Sequence, residues 1–326
     1  MSGRWLSYSS YLKALYGKPV YRISLDGGFS CPNRDPDGRG GCSFCDGTGA
    51  VASYQRSSES GFFRGSAYTE SVASSLLPRL AGLSEQAEKA REFLAKRYKA
   101  ELFSVYFQAF TNTYAPTEDL RALYSAALDA VPGARELIVS TRPDQLGDEV
   151  LSLLSSYRTE NRAVWVELGL QSADNRTLSR INRGHTAECW QDAVERAHKA
   201  GLKVSAHIIL GLPGEGRDDY VRTARFVDKA AADGIKIHNL HISGGSGMAM
   251  EYREGELTAP GFERQLEDTE LVLRHLSPGM VIQRLLSDTP FHRLMAPRDF
   301  PDKFIFLTRL EERMAANGTR QGDLHE

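Results

Sequence analysis

The stretch LKVSAHIILGLPG, residues 202–214, has the pattern of a buried strand followed by a tight turn. Its centre, AHIIL, is a nearly continuous apolar run of the kind found in parallel strands that are covered by helices. The glycines and the proline that follow end the strand and provide the turn. The stretch therefore predicts one βα unit of a parallel sheet.

Similar strand patterns recur along the chain and alternate with helical patterns. The predicted strands are 19–28, 101–110, 135–143, 163–172, 202–214 and 235–243. The predicted helices between them are 84–99, 117–131, 148–157, 186–200 and 217–232. This alternation favours parallel βα units, and six units are too few for a complete eight-stranded barrel. We predict an α/β fold, namely a partial (β/α)6 TIM-like barrel with a C-terminal extension.

The chain divides by pattern into three parts. We predict an N-terminal helix in residues 1–17, a barrel core in 18–245 and a C-terminal extension in 246–326. The extension contains a further predicted strand at 279–288, and we expect it to pack on the barrel. Its last residues, TRQGDLHE, are polar and terminal, so a loose tail is expected there.

Composition excludes several classes of protein. The 326 residues carry a formal net charge of −2 and are 41% hydrophobic, as in ordinary globular proteins. That charge gives no overall attraction to nucleic acid or to an anionic membrane surface. No apolar run of about 18 residues predicts a membrane span, and no signal peptide is evident. We therefore expect a cytoplasmic, reducing location, where clustered cysteines are more often metal ligands or catalysts than disulfides.

Three of the four cysteines lie in the stretch CPNRDPDGRGGCSFC, after the first predicted strand. Cysteine thiolates are the usual ligands of a [4Fe–4S] cluster, which normally takes four of them. Three ligands, Cys31, Cys42 and Cys45, would leave one iron open to a small molecule. The alternative is a zinc site with Cys189 as its fourth ligand. Cys189 fits equally well as a small core residue of the predicted helix 186–200.

Unusual polar stretches follow the carboxyl ends of the predicted strands, where the active site of such folds lies. From these stretches we select five candidate substrate or catalytic residues: Asn112, Tyr114, Arg142, His238 and His241. Arg142 suits an anionic substrate group or, beside a proline, the architecture of a turn. His238 and His241 are three residues apart on a predicted strand, so they are expected to point to opposite faces.

The chain as a whole resembles the radical S-adenosylmethionine (SAM) superfamily, and within it the YhcC-like family. The family's cysteine signature is stretched here to ten residues between the first two cysteines. Further matching stretches, which with the cysteine loop extend from residue 31 to residue 285, are 106–116, 140–144, 168–186, 207–215, 235–242 and 281–285. Two stretches depart from the family pattern, SGGSGMAM (243–250) and RLLSD (284–288). The resemblance therefore implies SAM chemistry more firmly than it implies a substrate.

The resemblance implies a mechanism and its cofactors. The three cysteines would hold a [4Fe–4S] cluster whose open iron binds SAM. Reductive cleavage would yield a 5′-deoxyadenosyl radical that removes hydrogen from an unidentified substrate. A flavodoxin or ferredoxin would donate the electron.

The same resemblance implies SAM contacts at ten positions: Gln108, Ala109, Phe110, Thr111, Ser140, Gln171, Arg183, His207, Leu210 and Gly211. Ala109 and Phe110 would contribute backbone, and Gln171 would reach the ribose. Arg183 would pair with the SAM carboxylate, for which a guanidinium fork is suited. Ser140 and His207 stand where relatives have acidic residues.

Two alternative functions remain open from the sequence. One is modification of tRNA by a radical SAM enzyme, since residues 292–314 mix basic and aromatic side chains. Acidic residues interspersed in that segment favour an ordinary charged helix instead. The other alternative is a non-catalytic, zinc-stabilised binding protein. The sequence leaves the substrate, small molecule or tRNA, and the oligomeric state undetermined.

Overall fold

The computed structural model describes residues 3–34, 40–47, 76–298 and 300–326. The helices in these ranges are α1 (Tyr8–Tyr16), α2 (Leu76–Tyr98), α3 (Thr117–Ala130), α4 (Asp148–Ser156), α5 (Asn175–Arg180), α6 (Ala187–Lys199), α7 (Arg217–Lys229), α8 (Met248–Arg253), α9 (Phe262–His275) and α10 (Lys303–Ala316). The strands are β1 (Val20–Leu25), β2 (Leu102–Phe107), β3 (Glu136–Thr141), β4 (Ala163–Gln171), β5 (Lys203–Leu210), β6 (Gly234–Asn239), β7 (Ile242–Ser243), β8 (Val281–Arg284) and β9 (Leu294–Ala296). None of the helices in these ranges has the length and apolar character needed to cross a bilayer.

The main sheet has seven strands in the order β1-β2-β3-β4-β5-β6-β8, and every neighbouring pair is parallel. The predicted α/β partial barrel is confirmed. The seventh strand comes from the C-terminal extension, which thus continues the sheet as well as packing on it. β8 satisfies backbone groups that would otherwise be unpaired at the edge of β6. The division of the chain after residues 17 and 245 stays a prediction.

The sheet curls into a half barrel. Arg22 on β1 donates a hydrogen bond from Nη2 to Oε1 of Gln283 on β8, over 3.1 Å. In a flat sheet six strand spacings of about 4.8 Å would separate these strands by ~29 Å, too far for two side chains to meet. The first and last strands therefore face each other across the barrel interior.

Helix α1 closes the amino end of the half barrel. The rings of Tyr8 and Tyr11 meet Trp165 of β4 edge-to-face, with centroids 6.3 and 6.2 Å away. Ser7, the N-cap of α1, forms a parallel bridge with Ile282 of β8. The aromatic residues of the N-terminal stretch thus shield the inner face of the sheet from solvent at this end.

The two faces of the sheet differ in character. Side chains that point outward, such as Val105, Leu137, Val166 and Ile235, are apolar, fully buried and covered by helices. The inner face carries many polar and charged groups: Arg22, Ser104, Tyr106, Glu136, Ser140, Glu167, Ser205, His207, Lys236 and His238. Charged groups remain buried only when they are paired or hydrogen-bonded, so this interior must be organised by specific contacts.

The prediction of a loose C-terminal tail is wrong. Gln321 is buried and donates from Nε2 to the carbonyls of Ser277 and Met280, at 2.6 and 2.9 Å. Thr319 donates to Oε1 of Glu270 on α9 over 2.7 Å. Polar side chains anchor this tail by satisfying backbone carbonyls and a carboxylate, which a composition argument does not reveal.

Candidate cofactor site at the carboxyl ends of the strands

The three clustered cysteines lie beyond the carboxyl end of β1, in a loop described at residues 31–34 and 40–47. Two turns shape this loop: the amide of Arg34 donates to the carbonyl of Cys31 (3.1 Å), and that of Cys45 to the carbonyl of Cys42 (2.9 Å). Cys42 is buried, while Cys31 and Cys45 are half-buried and none of them is in a disulfide. The loop therefore presents three free thiols at the predicted edge of the sheet.

Nitrogen donors surround two of the sulfurs. Asn33 Nδ2 and Arg183 Nη1 each lie 3.5 Å from Sγ of Cys42. Arg34 Nη2 lies 3.3 Å from Sγ of Cys45. Guanidinium and amide donors of this kind hydrogen-bond the sulfurs of an iron–sulfur cluster and tune it. The donor set therefore fits a cluster bound through thiolates.

The described residues give no support to the zinc alternative. Within the described ranges, no three His, Cys, Asp or Glu side chains are close enough to hold one metal ion. Cys189 is half-buried on α6, where its amide bonds to the N-cap Thr186 and burial raises the pKa of its thiol. A cube of four irons is bound at its corners and so needs thiolates that stand farther apart than the ligands of a single ion.

Arg183 links the cysteine loop to the end of β4. Besides its contact with Cys42, it donates from Nη2 to the carbonyl of Gly169 over 2.7 Å. The backbone carbonyl of Arg183 accepts a hydrogen bond from Arg142 Nη1 over 2.9 Å. Arg142 also donates two hydrogen bonds to the Asp144 carboxylate, over 2.9 and 3.0 Å. All three nitrogens of the Arg142 guanidinium thus donate hydrogen bonds to other protein groups. Arg142 therefore fixes the position of the loop that carries Arg183.

The end of β4 is irregular at the point where Arg183 meets it. The pairing of β4 with β5 shifts between Gly169 and Gln171, and Gln171 has a φ of 78°. Left-handed backbone is costly for such a residue and is found mainly at functional sites and turns. A Cβ on Gly169 would lie 2.5 Å from Arg183 Nη2 and 2.7 Å from Gln171 Nε2. Only glycine leaves room for both side chains here.

The predicted SAM-contacting stretch after β2 lies beside the cysteine loop. Residues 108–111 follow the strand directly, and the amide of Thr111 donates to the carbonyl of Ser30 over 3.1 Å. Phe110 has a φ of 63°, which turns the backbone sharply. The structure therefore brings Gln108, Ala109, Phe110 and Thr111 to the same edge as the thiols.

At the end of β5, Leu210 is buried and Gly211 forms a tight turn with a φ of 93°. The amide of Gly211 donates to the hydroxyl of Tyr220 over 3.0 Å, and a Cβ on it would meet Pro260 at 2.4 Å. The close approach of Pro260 to this turn explains why glycine is required.

Asn112 and Tyr114, two of the candidate substrate residues, are not directed into the half barrel. Asn112 is fully buried and donates from Nδ2 to the carbonyls of Ser140 and Phe107, at 2.8 and 3.3 Å. It therefore joins the ends of β2 and β3. Tyr114 is 46% exposed at the surface.

The two histidines of the predicted sixth strand have different surroundings. β6 ends at Asn239, so the expectation that both lie on one strand is wrong, and His241 belongs to the following turn. His241 bonds to Asn239 and Thr289, at 2.7 and 2.6 Å, and burial lowers its pKa to about 4. His238 lies inside, with its ring centroid 5.2 Å from that of His207.

Sequence reasoning missed the centre of the interior, which is Glu167 on β4. Its Oε2 accepts hydrogen bonds from four side chains: Tyr106 (2.8 Å), Ser140 (2.7 Å), Lys236 (2.6 Å) and His207 (3.1 Å). Although burial alone would raise it, the pKa of Glu167 is held well below its usual range by Lys236, His207 and Arg22. Ser140 and His207, both predicted to contact SAM, therefore bind this carboxylate.

Burial sets the protonation of the groups around Glu167. It lowers the pKa of His207 to about 4, with Lys236 and Arg284 acting in the same direction and Glu167 opposing them. The imidazole is thus neutral near pH 7. One signal could have revealed the network, because Glu167 and Lys236 are single charges in the apolar strand segments AVWVELGLQ and GIKIHN. A charge inside such a segment must face a partner in the interior.

Comparison with known proteins agrees with this geometry. Residues 31–227 match the model of the radical SAM superfamily, and residues 232–316 match that of the radical SAM C-terminal domain. Protein YhcC of Escherichia coli K12 is 36% identical over 306 residues, which cover 94% of this chain and 90% of that protein. The uncharacterized protein YtqA of Bacillus subtilis 168 is 35% identical, over 98% of this chain and 92% of its own.

Solved structures support the fold. The archaeal Elp3 of Methanocaldococcus infernus has a TM-score of 0.65 at 20% identity and covers 73% of this chain, which spans 60% of that one. Coproporphyrinogen III oxidase (HemN) from Escherichia coli has a TM-score of 0.51 at 15% identity, over 79% of this chain and 53% of that one. Enzymes of this superfamily use a [4Fe–4S] cluster and SAM, and these are the cofactors of the present protein. The chain belongs to the radical SAM superfamily as an enzyme of the YhcC-like family.

Proposed function

We propose that Cys31, Cys42 and Cys45 hold the [4Fe–4S] cluster and that the enzyme cleaves SAM to start radical chemistry on a substrate inside the half barrel. When bound, the cluster supplies the electron that cleaves SAM, and the resulting 5′-deoxyadenosyl radical removes hydrogen from the substrate. The observation that carries this proposal is the loop of three free thiols, two of them contacted by guanidinium or amide donors, at the mouth of a polar interior.

Two side chains at this mouth have capacity for a ligand. Nε of Arg183 is buried and has no hydrogen-bond partner among the described residues. A guanidinium that lies against Cys42 and still has a donor to offer suits the SAM carboxylate. The side-chain amide of Gln171 likewise makes no hydrogen bond within the described ranges, which supports its assignment to the SAM ribose.

Three other predicted site residues are assigned to positioning protein groups. Ser140 and His207 are committed to Glu167, so we assign them to orienting that carboxylate below the SAM site. Arg142 is a positioning residue that acts through the loop of Arg183. A flavodoxin or ferredoxin as electron donor and a cytoplasmic location belong to the same proposal, because the reaction needs a low-potential electron and reduced thiols.

The direct test is anaerobic purification and reconstitution. We expect a brown protein with about four irons and four sulfides per chain, the composition of one [4Fe–4S] cluster. Dithionite reduction in the presence of SAM is expected to release 5′-deoxyadenosine. A colourless protein that carries zinc, or a cluster whose spectrum does not respond to SAM, would rule the proposal out.

Replacing Gly169 with alanine is expected to weaken SAM binding about tenfold or more, because the added methyl group displaces the Arg183 guanidinium that we assign to the SAM carboxylate. The measurement is a SAM titration followed by the electron paramagnetic resonance spectrum of the reduced cluster. Gly147→Ala is the matched control, because a Cβ there meets nothing within 4 Å. Equal SAM affinity in Gly169→Ala and wild type would contradict the assignment of Arg183.

A further inference from the structure

The strand edge at β8 carries more positive charge than the described residues balance. In the pairing of β6 with β8, Lys236 stands opposite Arg284, and the register shifts between Ile235 and Lys236. Two cations on adjacent strands repel each other unless a negative group lies near both. Lys236 has such a group, because Glu167 lies 2.6 Å from its Nζ. The side chain of Arg284 has neither a hydrogen bond nor an ion pair among the described residues.

Arg284 is close to the interior network. Its charge contributes to lowering the pKa values of His207, Lys236 and His238, all on the inner face. The register shift places two residues of β8, Gln283 and Arg284, where a regular strand would place one. Irregularities of this kind re-aim side chains and are frequent beside active sites.

Several buried hydrogen-bond donors near Arg284 also have no partner within the described ranges. They are Nε of Arg22 and Nε2 of Gln283, and Nε2 of His238 can serve as another in the appropriate tautomer. Arg22 and Gln283 are hydrogen-bonded to each other across the opening between β1 and β8. The donors that this bond does not use, Nε of Arg22 and Nε2 of Gln283, therefore lie near the same opening. Leaving a buried donor unpaired is unfavourable, so these groups are suited to a ligand rich in acceptors.

The charge balance decides the sign of that ligand. The charged groups around this gap are the cations Arg22, Lys236, Arg284 and Lys303 and the carboxylates Glu136, Glu167 and Asp288, so the cations exceed the carboxylates by one. Glu136 accepts from Tyr8, Ser104 and Trp165 at the amino end, and Glu167 is bound by Lys236. Neither carboxylate reaches Arg284 within ion-pair distance in the described structure.

We propose that the gap between β1 and β8 binds the anionic group, a phosphate or a carboxylate, of the enzyme's substrate through Arg284, Gln283 and Arg22. This inference rests on the proposed function and specifies its substrate class. A guanidinium with neighbouring amide donors matches the several acceptors of either oxyanion. The substrate would thus be anchored beside β1, the strand that leads from Arg22 to the cysteine loop.

The test is a calorimetric titration of the cluster-loaded protein with inorganic phosphate and, separately, with acetate, at constant ionic strength. We expect saturable binding of at least one, and the tighter anion identifies the substrate group. Arg284→Gln is expected to weaken it about tenfold or more, since hydrogen bonds to charged groups are worth ~1.5–3 kcal/mol. Arg309→Gln is the control, because that arginine is exposed on α10 and pairs only with Glu312 among the described residues.

The experiment includes a second variant and a repeat of the titrations with SAM. If Arg284→Gln does not fold, Gln283→Leu removes the neighbouring amide donor and is expected to weaken binding several-fold. Titrations are repeated with saturating SAM, because SAM has a carboxylate of its own. Absence of binding in the wild type, equal binding in the variant that folds, or displacement by SAM would each overturn the inference. Because no turnover is needed, failure here is distinguishable from failure of SAM cleavage, which would refute the proposed function instead.

Discussion

Replacing Cys42 with alanine is expected to leave a protein that holds almost no iron and forms no 5′-deoxyadenosine above background. Cys42 is the buried thiol of the loop and the one that both Asn33 and Arg183 contact, at 3.5 Å each. Without it two thiolates remain, too few to fix three corners of the cluster. Iron and sulfide analysis after anaerobic reconstitution measures the first effect, and chromatography of the SAM cleavage products measures the second.

Cys189→Ala provides the matched control for Cys42→Ala. Cys189 lies on α6, outside the cysteine loop, where its amide donates to the N-cap Thr186. The variant is therefore expected to keep the full cluster and normal SAM cleavage. Loss of metal from Cys189→Ala, or retention of a complete cluster in Cys42→Ala, would show that the thiols have been assigned wrongly.

Replacing Lys236 with methionine is expected to lower the free energy of unfolding by about 3–5 kcal/mol, the usual cost of removing one partner of a buried ion pair. The exposed fractions of the Lys236 and Glu167 side chains are 1% and 0%, and their Nζ and Oε2 atoms are 2.6 Å apart. Methionine has a similar volume but removes the nearest cation of the Glu167 carboxylate and leaves only Arg22, 4.0 Å away. Chemical denaturation at pH 7, followed by circular dichroism, measures the change.

Two further variants test the physical reason. The double variant Glu167→Leu/Lys236→Met removes both charges and is expected to recover part of the lost stability. Lys203→Met on the neighbouring strand removes a lysine whose side chain is 38% exposed and 3.5 Å from Asp233, so a loss of at most about 1 kcal/mol is expected. If Lys236→Met lowered the free energy of unfolding by no more than Lys203→Met does, the network around Glu167 would not be the organising element of the interior.

Local patterns were enough to predict the sheet. The six strands taken from the sequence correspond to β1 to β6, because apolar runs of this length between amphipathic helices have few other arrangements in a compact fold. The edge of the sheet that carries the thiols was also predictable, since parallel strands bring their carboxyl ends together. Those predictions depended only on the order of short segments along the chain.

Contacts between distant residues were not predictable in this way. Arg183 meets Cys42 across 141 residues, and Lys236 meets Glu167 across 69. The sequence left Arg142 either as a substrate ligand or as part of a turn, and the fold uses it to hold the Arg183 loop. The polar tail looked loose, yet Gln321 is buried against the carbonyls of Ser277 and Met280.

The sequence by itself determined the βα alternation, the cysteine loop and the membership of the radical SAM superfamily, because each depends on residue type and spacing within short segments. Only the tertiary structure decided that a seventh strand closes on Arg22 and that Glu167 gathers four donors. It alone showed that Arg284 remains without a partner among the described residues. The physical reason is that the role of a charged residue depends on whether the fold places an opposite charge beside it, and that partner is distant in the sequence.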